Sequence, residues 1–178
     1  MPRAANASLS EPGPLIAPAT SAPAARLGLP SARRLRSAAQ FAAVAGREGR
    51  AAGSTWRGGG RYLAMQAHVV PIADLAADRA AARVRFGVTV GKRNARRAVE
   101  RALVKRVLRE AARHAAPALD EVAGPRAVDV VLRLKAPCPP KAKLPHPQFK
   151  RQLRDEADAL LAQLASALRS AAADGAAA

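Results

Sequence analysis

Cysteine is nearly absent from the 178-residue sequence, in which Cys138 stands alone. A single cysteine excludes an intrachain disulfide and any zinc site built from several cysteines, and it favours a reducing, cytoplasmic setting. The three histidines, His68, His114 and His146, lie too far apart in sequence to suggest a metal-binding motif. We therefore expect the protein itself to bind no metal ion and no other cofactor.

Long hydrophobic runs and aromatic residues are also scarce. No apolar run approaches the roughly 18 to 20 residues that a membrane-spanning helix needs. Aromatic residues, which often anchor proteins at a lipid surface, make up 3% of the chain. We therefore expect a soluble protein without a membrane partner.

Acidic residues are in the minority, with 13 Asp and Glu against 30 Lys and Arg, which gives a net charge of +17. Of the 30 cations, 24 are Arg and 6 are Lys. An excess of this size predicts a polyanionic partner. Because guanidinium groups pair with phosphate oxygens and stack on bases, nucleic acid is the favoured partner.

The few carboxylates do not suggest a catalytic centre. A metal-dependent nuclease needs several carboxylates that converge on divalent ions. Seven of the acids fall into three groups with ordinary explanations: an ambiguous stretch (Asp74, Asp78), a turn (Asp120, Glu121) and an arginine-rich helix (Asp155, Glu156, Asp158). The sequence therefore indicates a binding protein rather than a protein nuclease.

Composition divides the chain into three segments. Residues 1–30 are dense in Pro, Ala, Ser and Gly and lack apolar periodicity, which predicts a disordered extension. An organellar transit peptide would share the low acid content, but the prolines oppose its amphipathic helix. Residues 31–170 carry the patterns of one small domain, and the alanine-rich residues 171–178 predict a disordered tail.

The first predicted helix lies near the start of the domain. Ser37 is a candidate N-cap, Phe41 and Val44 follow at helical spacing, and Gly46 is a stop signal. This segment predicts a short helix.

Two further segments precede the centre of the domain. The glycine-rich residues 48–60 predict a mobile loop, and residues 61–71 have the length of a strand. Residues 72–82 are ambiguous between a helical turn and a loop.

A strand, a helix and a strand follow in order. Residues 83–90 alternate between apolar and polar side chains, as a half-buried strand does, and residues 127–135 repeat this alternation. Between them, residues 97–113 predict a basic helix. The apolar stripe of residues 148–170 predicts a last helix that covers the sheet.

The basic helix has two faces. Helical projection places a cationic half opposite a packing half. The cationic half contains Arg97, Arg101, Lys105, Arg106, Arg109 and Arg113, and the packing half contains Val99, Leu103, Val104, Val107, Leu108 and Ala111. A merely solvated face would mix charge signs, whereas Glu100 and Glu110 are the only acids here. The preceding turn adds Lys92, Arg93 and Arg96, so we interpret this region as a surface for a polyanion.

Residues 85–113 resemble the core signature of the bacterial ribonuclease P protein component. In that family, Val-x-Lys-Lys or Val-x-Lys-Arg leads into Ala-Val-x-Arg-Asn-x-x-Lys-Arg-x-x-Arg-Glu. The matching residues are Val90, Lys92, Arg93, Ala98, Val99, Arg101, Lys105, Arg106, Arg109 and Glu110. The resemblance extends to the first helix, the strand at 127–135 and the last helix, and covers about residues 33–170.

Four positions depart from the family pattern. Ala102 replaces an Asn, and Leu103 replaces a residue that is often basic. Ala45 stands where a second aromatic often follows Phe41, and Met65 stands about where a Tyr is common. The resemblance therefore implies that binding of the RNA subunit is retained, whereas contacts with the substrate's leader strand are weaker or rearranged.

The resemblance implies an α+β domain with a four-stranded sheet and a left-handed β-α-β crossover that carries the basic helix. It implies that the chain is the protein subunit of a ribonucleoprotein that removes the 5′ leader of precursor tRNA. The catalyst is then the RNA, Mg²⁺ is held mainly by RNA, and the protein has no catalytic residue.

The same resemblance assigns residues and partners. The partners are the catalytic RNA subunit and precursor tRNA, and no protein partner is implied. The RNA-binding residues are Lys92, Arg93, Arg96, Arg97, Arg101, Lys105, Arg106 and Arg109, and the leader cleft contains Arg34 and Phe41. An alternative is a general RNA-binding or ribosomal protein on the same scaffold, without a role in cleavage.

Overall fold

A computed structural model of the protein describes residues 28–46, 53–74, 82–140 and 142–176, which form three α-helices and four strands. The elements are α1 (Ala38–Ala45), β1 (Ser54–Gly59), β2 (Leu63–Pro71), β3 (Val84–Val90), α2 (Ala98–Ala123), β4 (Arg126–Leu134) and α3 (His146–Ala176). Two short 3-10 turns, Ser31–Arg33 and Ile72–Asp74, complete the described structure.

The four strands form one mixed sheet in the order β1-β2-β4-β3. β2 pairs antiparallel with both β1 and β4, whereas β3 and β4 are parallel neighbours joined through α2. The predicted α+β fold and its β-α-β unit are therefore confirmed. The left-handedness of the crossover stays a prediction.

One face of the sheet carries the hydrophobic core. Because side chains alternate along a strand, Met65, Phe86, Val130 and Leu132 project from the same face. All four are buried, in one cluster with apolar side chains of α2 and α3. The helices supply Val104, Val107, Leu108, Ala111, Leu153, Ala157, Leu160 and Leu164. This packing fixes α2 against the sheet and leaves its opposite side to solvent.

The other face of the sheet is partly covered by α1. Ser37 caps this helix, since its Oγ accepts the Gln40 N–H at 3.2 Å while the Gln40 side chain accepts the Ser37 N–H at 3.1 Å. Gly46 ends it with φ at 68°, a left-handed conformation that favours glycine. Val44 is fully buried beneath the helix. The predicted cap, packing residue and stop signal are all confirmed.

The segment 48–60, predicted as a mobile loop, contains strand β1. Its register places Trp56 opposite Ala67 and Arg57 opposite Gln66 of β2. The prediction was wrong because the glycines obscured the strand-forming Thr55 and Trp56, and because pairing with β2 outweighs weak local propensity.

The ends of the domain also differ from the predicted boundaries. Leu29, assigned to the extension, is 2% exposed and belongs to the core. At the other end, α3 continues to Ala176, so that residues 171–176 of the predicted tail are helical, as their alanines favour. Residues 1–27 and most of the ambiguous stretch, residues 75–81, lie outside the described residues.

Candidate nucleic-acid interface

The turn between β3 and α2 is tied to the end of β4. The Asn94 side chain donates to the Leu134 carbonyl at 2.7 Å, and the Asn94 carbonyl accepts the Cys138 N–H at 2.7 Å. Within the turn, the Asn94 N–H donates to the Gly91 carbonyl at 3.1 Å. These bonds fix the start of α2 relative to the carboxyl ends of the two parallel strands.

The cations predicted to bind RNA lie in this turn and along α2. Six are exposed, namely Lys92, Arg93, Arg96, Arg97, Arg106 and Arg109, and Arg101 and Lys105 are half-buried. None of these eight side chains forms an ion pair with another described residue. The interface therefore presents cationic groups that no described carboxylate neutralises.

Arg101 differs from the other seven. Its Nη1 donates to the carbonyls of Ala95 and Arg96, at 3.1 and 2.7 Å. These bonds hold the guanidinium against the turn that precedes α2 and use part of its donor capacity. Arg101 therefore positions the turn as well as adding charge.

The packing half of α2 begins later than the projection indicated. Val99, predicted to pack, is 69% exposed. It lies two turns before the exposed Arg106 and hence on the same side of the helix. Leu103 is half-buried and packs against the core, while Ala102 is exposed on the cationic side as projected. The cationic face thus includes the exposed apolar side chains of Val99 and Ala102.

The predicted cleft residues Arg34 and Phe41 meet the edge of β3. Phe41 packs on Gly87, where an added Cβ would come 2.4 Å from the Phe41 ring, so a larger residue at Gly87 would displace the ring. Arg34 donates to the Leu29 carbonyl through Nε, at 2.8 Å, and through Nη2. A cavity of about 80 Å³ is lined by both Arg34 and Phe41, and also by Arg109 of α2. The predicted leader cleft therefore adjoins the predicted RNA-binding face of α2.

A larger cavity, of about 500 Å³, lies at the carboxyl ends of β3 and β4. Arg93, a predicted site residue, lines it with four polar residues that were not predicted as site residues, Thr89, Asn94, Arg133 and Lys135. Among the described residues, no carboxylate lines it. The Thr89 hydroxyl is buried and has no hydrogen-bond partner among the described residues.

The sequence did contain a signal for part of this cavity. Thr89 and Arg133 are the polar members of two alternating strands, and they lie opposite each other in the parallel register. Their side chains therefore emerge on the α1 side of the sheet, two residues beyond Gly87 and Val131. The strands were recognised, but their pairing was needed to bring these side chains together.

Met65 does not line the cleft. It is 1% exposed and faces the helices α2 and α3. The next residue, Gln66, projects to the α1 side and is half-buried. Next to Met65 in sequence, the β2 residue on the α1 side of the sheet is therefore Gln66.

The acids of the described chain serve mainly structural contacts. Asp120 pairs with Arg33 at 2.5 Å, and Asp129 accepts two hydrogen bonds from Arg85 at 2.8 and 2.9 Å. Glu156 accepts the N–H groups at the start of β2. In the described ranges, no three His, Cys, Asp or Glu side chains are grouped so that they could hold a metal ion.

Cys138 lies next to the start of α2. Burial raises the pKa of its thiol to about 11, with a smaller contribution from the negative charge of Glu100. The thiol is therefore protonated at neutral pH and is a poor nucleophile.

A known family model matches most of the chain. The family model Ribonuclease P matches residues 29–165, which is 137 of the 178 residues and includes β1 through β4, α2 and most of α3. No curated protein matches the sequence. None of the helices within the described ranges has the length and hydropathy that crossing a membrane requires. The chain belongs to the family of the ribonuclease P protein component.

Proposed function

We propose that this chain binds the catalytic RNA of ribonuclease P and the 5′ leader of precursor tRNA, and so promotes endonucleolytic removal of the leader in the cytoplasm. The observation that carries the proposal is the shared cavity of Arg34, Phe41 and Arg109. It joins the cleft beside α1 to the cationic face of α2, so that one protein can hold both RNAs at adjacent surfaces.

The division of roles follows from the chemistry of the side chains. Exposed Arg and Lys on the turn and α2 neutralise phosphates without reading sequence. Phe41 offers a ring to a single-stranded leader, which has unstacked bases. Arg93, Arg133 and Lys135 line the larger cavity and supply cations for the leader's phosphates.

The protein's contribution to cleavage is to position RNA and to reduce repulsion between phosphates. Mg²⁺ is assigned to the RNA in this proposal, as the family resemblance implies. No step of the chemistry is assigned to a protein side chain.

Reconstitution tests the proposal. The full chain is assayed for cleavage of precursor tRNA alone, and together with the ribonuclease P RNA of the same organism, across a Mg²⁺ titration. We expect no cleavage by the protein alone and a lower Mg²⁺ requirement with the RNA. Cleavage by the protein without RNA, or an unchanged Mg²⁺ requirement, would contradict the proposal.

Co-purification separates the proposal from general RNA binding. The chain is recovered from cells together with its bound RNA. One discrete RNA that supports cleavage favours the proposed function, whereas bulk ribosomal RNA favours a general RNA-binding protein.

A further inference from the structure

An apolar groove lies within the cationic side of α2, where this helix meets α3. Its volume is about 380 Å³, within the range of roughly 300 to 1,000 Å³ that small-ligand pockets occupy. It is lined by Val99, Ala102, Leu103, Arg106 and Val107 of α2 and by Lys150 of α3. The groove therefore has an apolar floor with two cations beside it.

The exposure of this floor needs an explanation. Large apolar side chains that stay exposed within a polar rim often mark a binding surface. Val99 is 69% exposed, and the other large hydrophobic residue with an exposed side chain in the described ranges, Ile72, is 40% exposed and lies outside the cationic face. Ala102 adds a second exposed apolar side chain to the groove.

The charges around the groove indicate the chemistry of its occupant. Arg106 and Lys150 are exposed, and neither forms an ion pair or side-chain hydrogen bond with another described residue. No carboxylate from the described ranges lines the groove. An apolar surface beside two free cations complements a nucleotide, whose base is flat and apolar on its faces and whose phosphate is anionic.

We propose that this groove binds one unstacked nucleotide of the catalytic RNA, with the base against Val99, Ala102 and Leu103 and the phosphate between Arg106 and Lys150. The inference rests on the proposed function and extends it. It assigns to this part of α2 an apolar contact with a base, in addition to the phosphate contacts of its neighbours.

Salt dependence distinguishes the two kinds of contact. Phosphate contacts release counterions, so that losing one flattens the plot of log affinity against log salt by about 0.7 to 0.9. Loss of an apolar contact lowers affinity at every salt concentration and leaves the slope unchanged. The two effects are therefore measurable in the same titration.

The test uses the full chain, a transcript of the same organism's ribonuclease P RNA, and binding titrations at several salt concentrations. We expect Val99→Ser to weaken binding about fivefold at every salt concentration, because it removes part of an apolar side chain that the base would bury in the complex. Arg106→Ala should flatten the slope. Ile72→Ser is the matched control, because it removes an exposed apolar side chain elsewhere, and it should change neither quantity.

The outcomes separate this inference from the function on which it rests. If Arg106→Ala flattens the slope while Val99→Ser binds like the unmodified chain, RNA contacts the face but no base occupies the groove. If neither variant changes binding, the assignment of this face to RNA fails as well. If Val99→Ser leaves RNA binding unchanged but abolishes self-association of the chain, the groove binds a second copy and the inference is wrong.

A crosslink gives a second readout. A photoreactive benzophenone side chain at the exposed position 98, one turn before Ala102 and outside the lining of the groove, should crosslink to an unpaired nucleotide of the RNA. A crosslink confined to base-paired stems would overturn the inference, because a paired base cannot enter the groove.

Discussion

Two sets of arginines in this molecule differ in what surrounds them. Arg85 is held by Asp129 on the sheet, with the two side chains 16% and 5% exposed, and Arg33 is held by Asp120. Arg106, by contrast, is exposed and has no ion-pair partner among the described residues. The same side chain therefore serves the fold in one place and is available to a ligand in the other.

The difference shows that net charge alone does not locate a binding surface. The charge of +17 belongs to the whole chain, but the paired arginines contribute little field beyond their partners. The eight cations from Lys92 to Arg109 have one acid, Glu100, among them in sequence. Scarcity of acid within this segment, rather than abundance of arginine in the chain, makes it the candidate interface.

The largest effect on stability is expected from Asp129→Ala. This change removes the nearly buried carboxylate that accepts two hydrogen bonds from Arg85, and it should cost about 3 kcal/mol of unfolding free energy. Urea denaturation measures it. Asp155→Ala, which changes an exposed acid on α3, is the control and should stay within about 0.5 kcal/mol. Equal stability of the two variants would show that the buried pair does not hold the sheet.

A smaller effect, confined to binding, is expected from Arg133→Ala. Arg133 is exposed at the larger cavity, so its loss should weaken binding of precursor tRNA to the reconstituted holoenzyme by about threefold to tenfold. Binding of mature tRNA, which has no leader, should not change. Arg169→Ala near the end of α3 serves as the control. An equal loss for both tRNAs would contradict assignment of this cavity to the leader.

The smallest effect concerns the partly exposed cluster Glu110, Arg113 and His114. A hydrogen bond from Arg113, and to a lesser extent one with His114, lowers the pKa of Glu110 to about 2. Because the folded pKa is lowered, any stabilisation is present above the ordinary value of 4.5 and is lost as pH falls towards about 2. NMR titration should show Arg113→Ala returning this pKa towards 4.5, with little change in stability or RNA binding. A Glu110 pKa that is the same in the Arg113→Ala variant and the unmodified chain would show that Glu110 and Arg113 do not pair in solution.

Much of the fold could be predicted from local patterns. The alternation of apolar and polar residues predicted the strands that the structure has at Val84–Val90 and Arg126–Leu134. Ser37 and Gly46 marked the ends of α1. These features depend on residues close in sequence, so one sequence suffices to find them. The strand β1 was missed for two reasons. Its glycines carry no periodic signal, and its extended conformation depends on hydrogen bonds to β2, which the sequence alone does not show.

The candidate site was predictable only in part, for a similar reason. The cations of α2 follow from helical spacing, but the exposure of Val99 depends on where α3 packs. The cavity of Thr89 and Arg133 requires the register of two strands separated by α2. Likewise, the partners Arg85 and Asp129 are 44 residues apart in sequence, so their pairing could not be inferred from local charge patterns.

The central claim is that arginines without ion pairs, rather than positive charge in general, bind the catalytic RNA. Two double variants that lose the same charge test it: Arg106→Ala with Arg109→Ala, and Arg113→Ala with Arg154→Ala, whose arginines pair with Glu110 and Asp158. The measurement is the salt dependence of binding to the ribonuclease P RNA. The account predicts that the first double variant flattens the log–log slope by about 1.4 to 1.8 and that the second leaves it nearly unchanged. An equal decrease for both double variants would contradict the account.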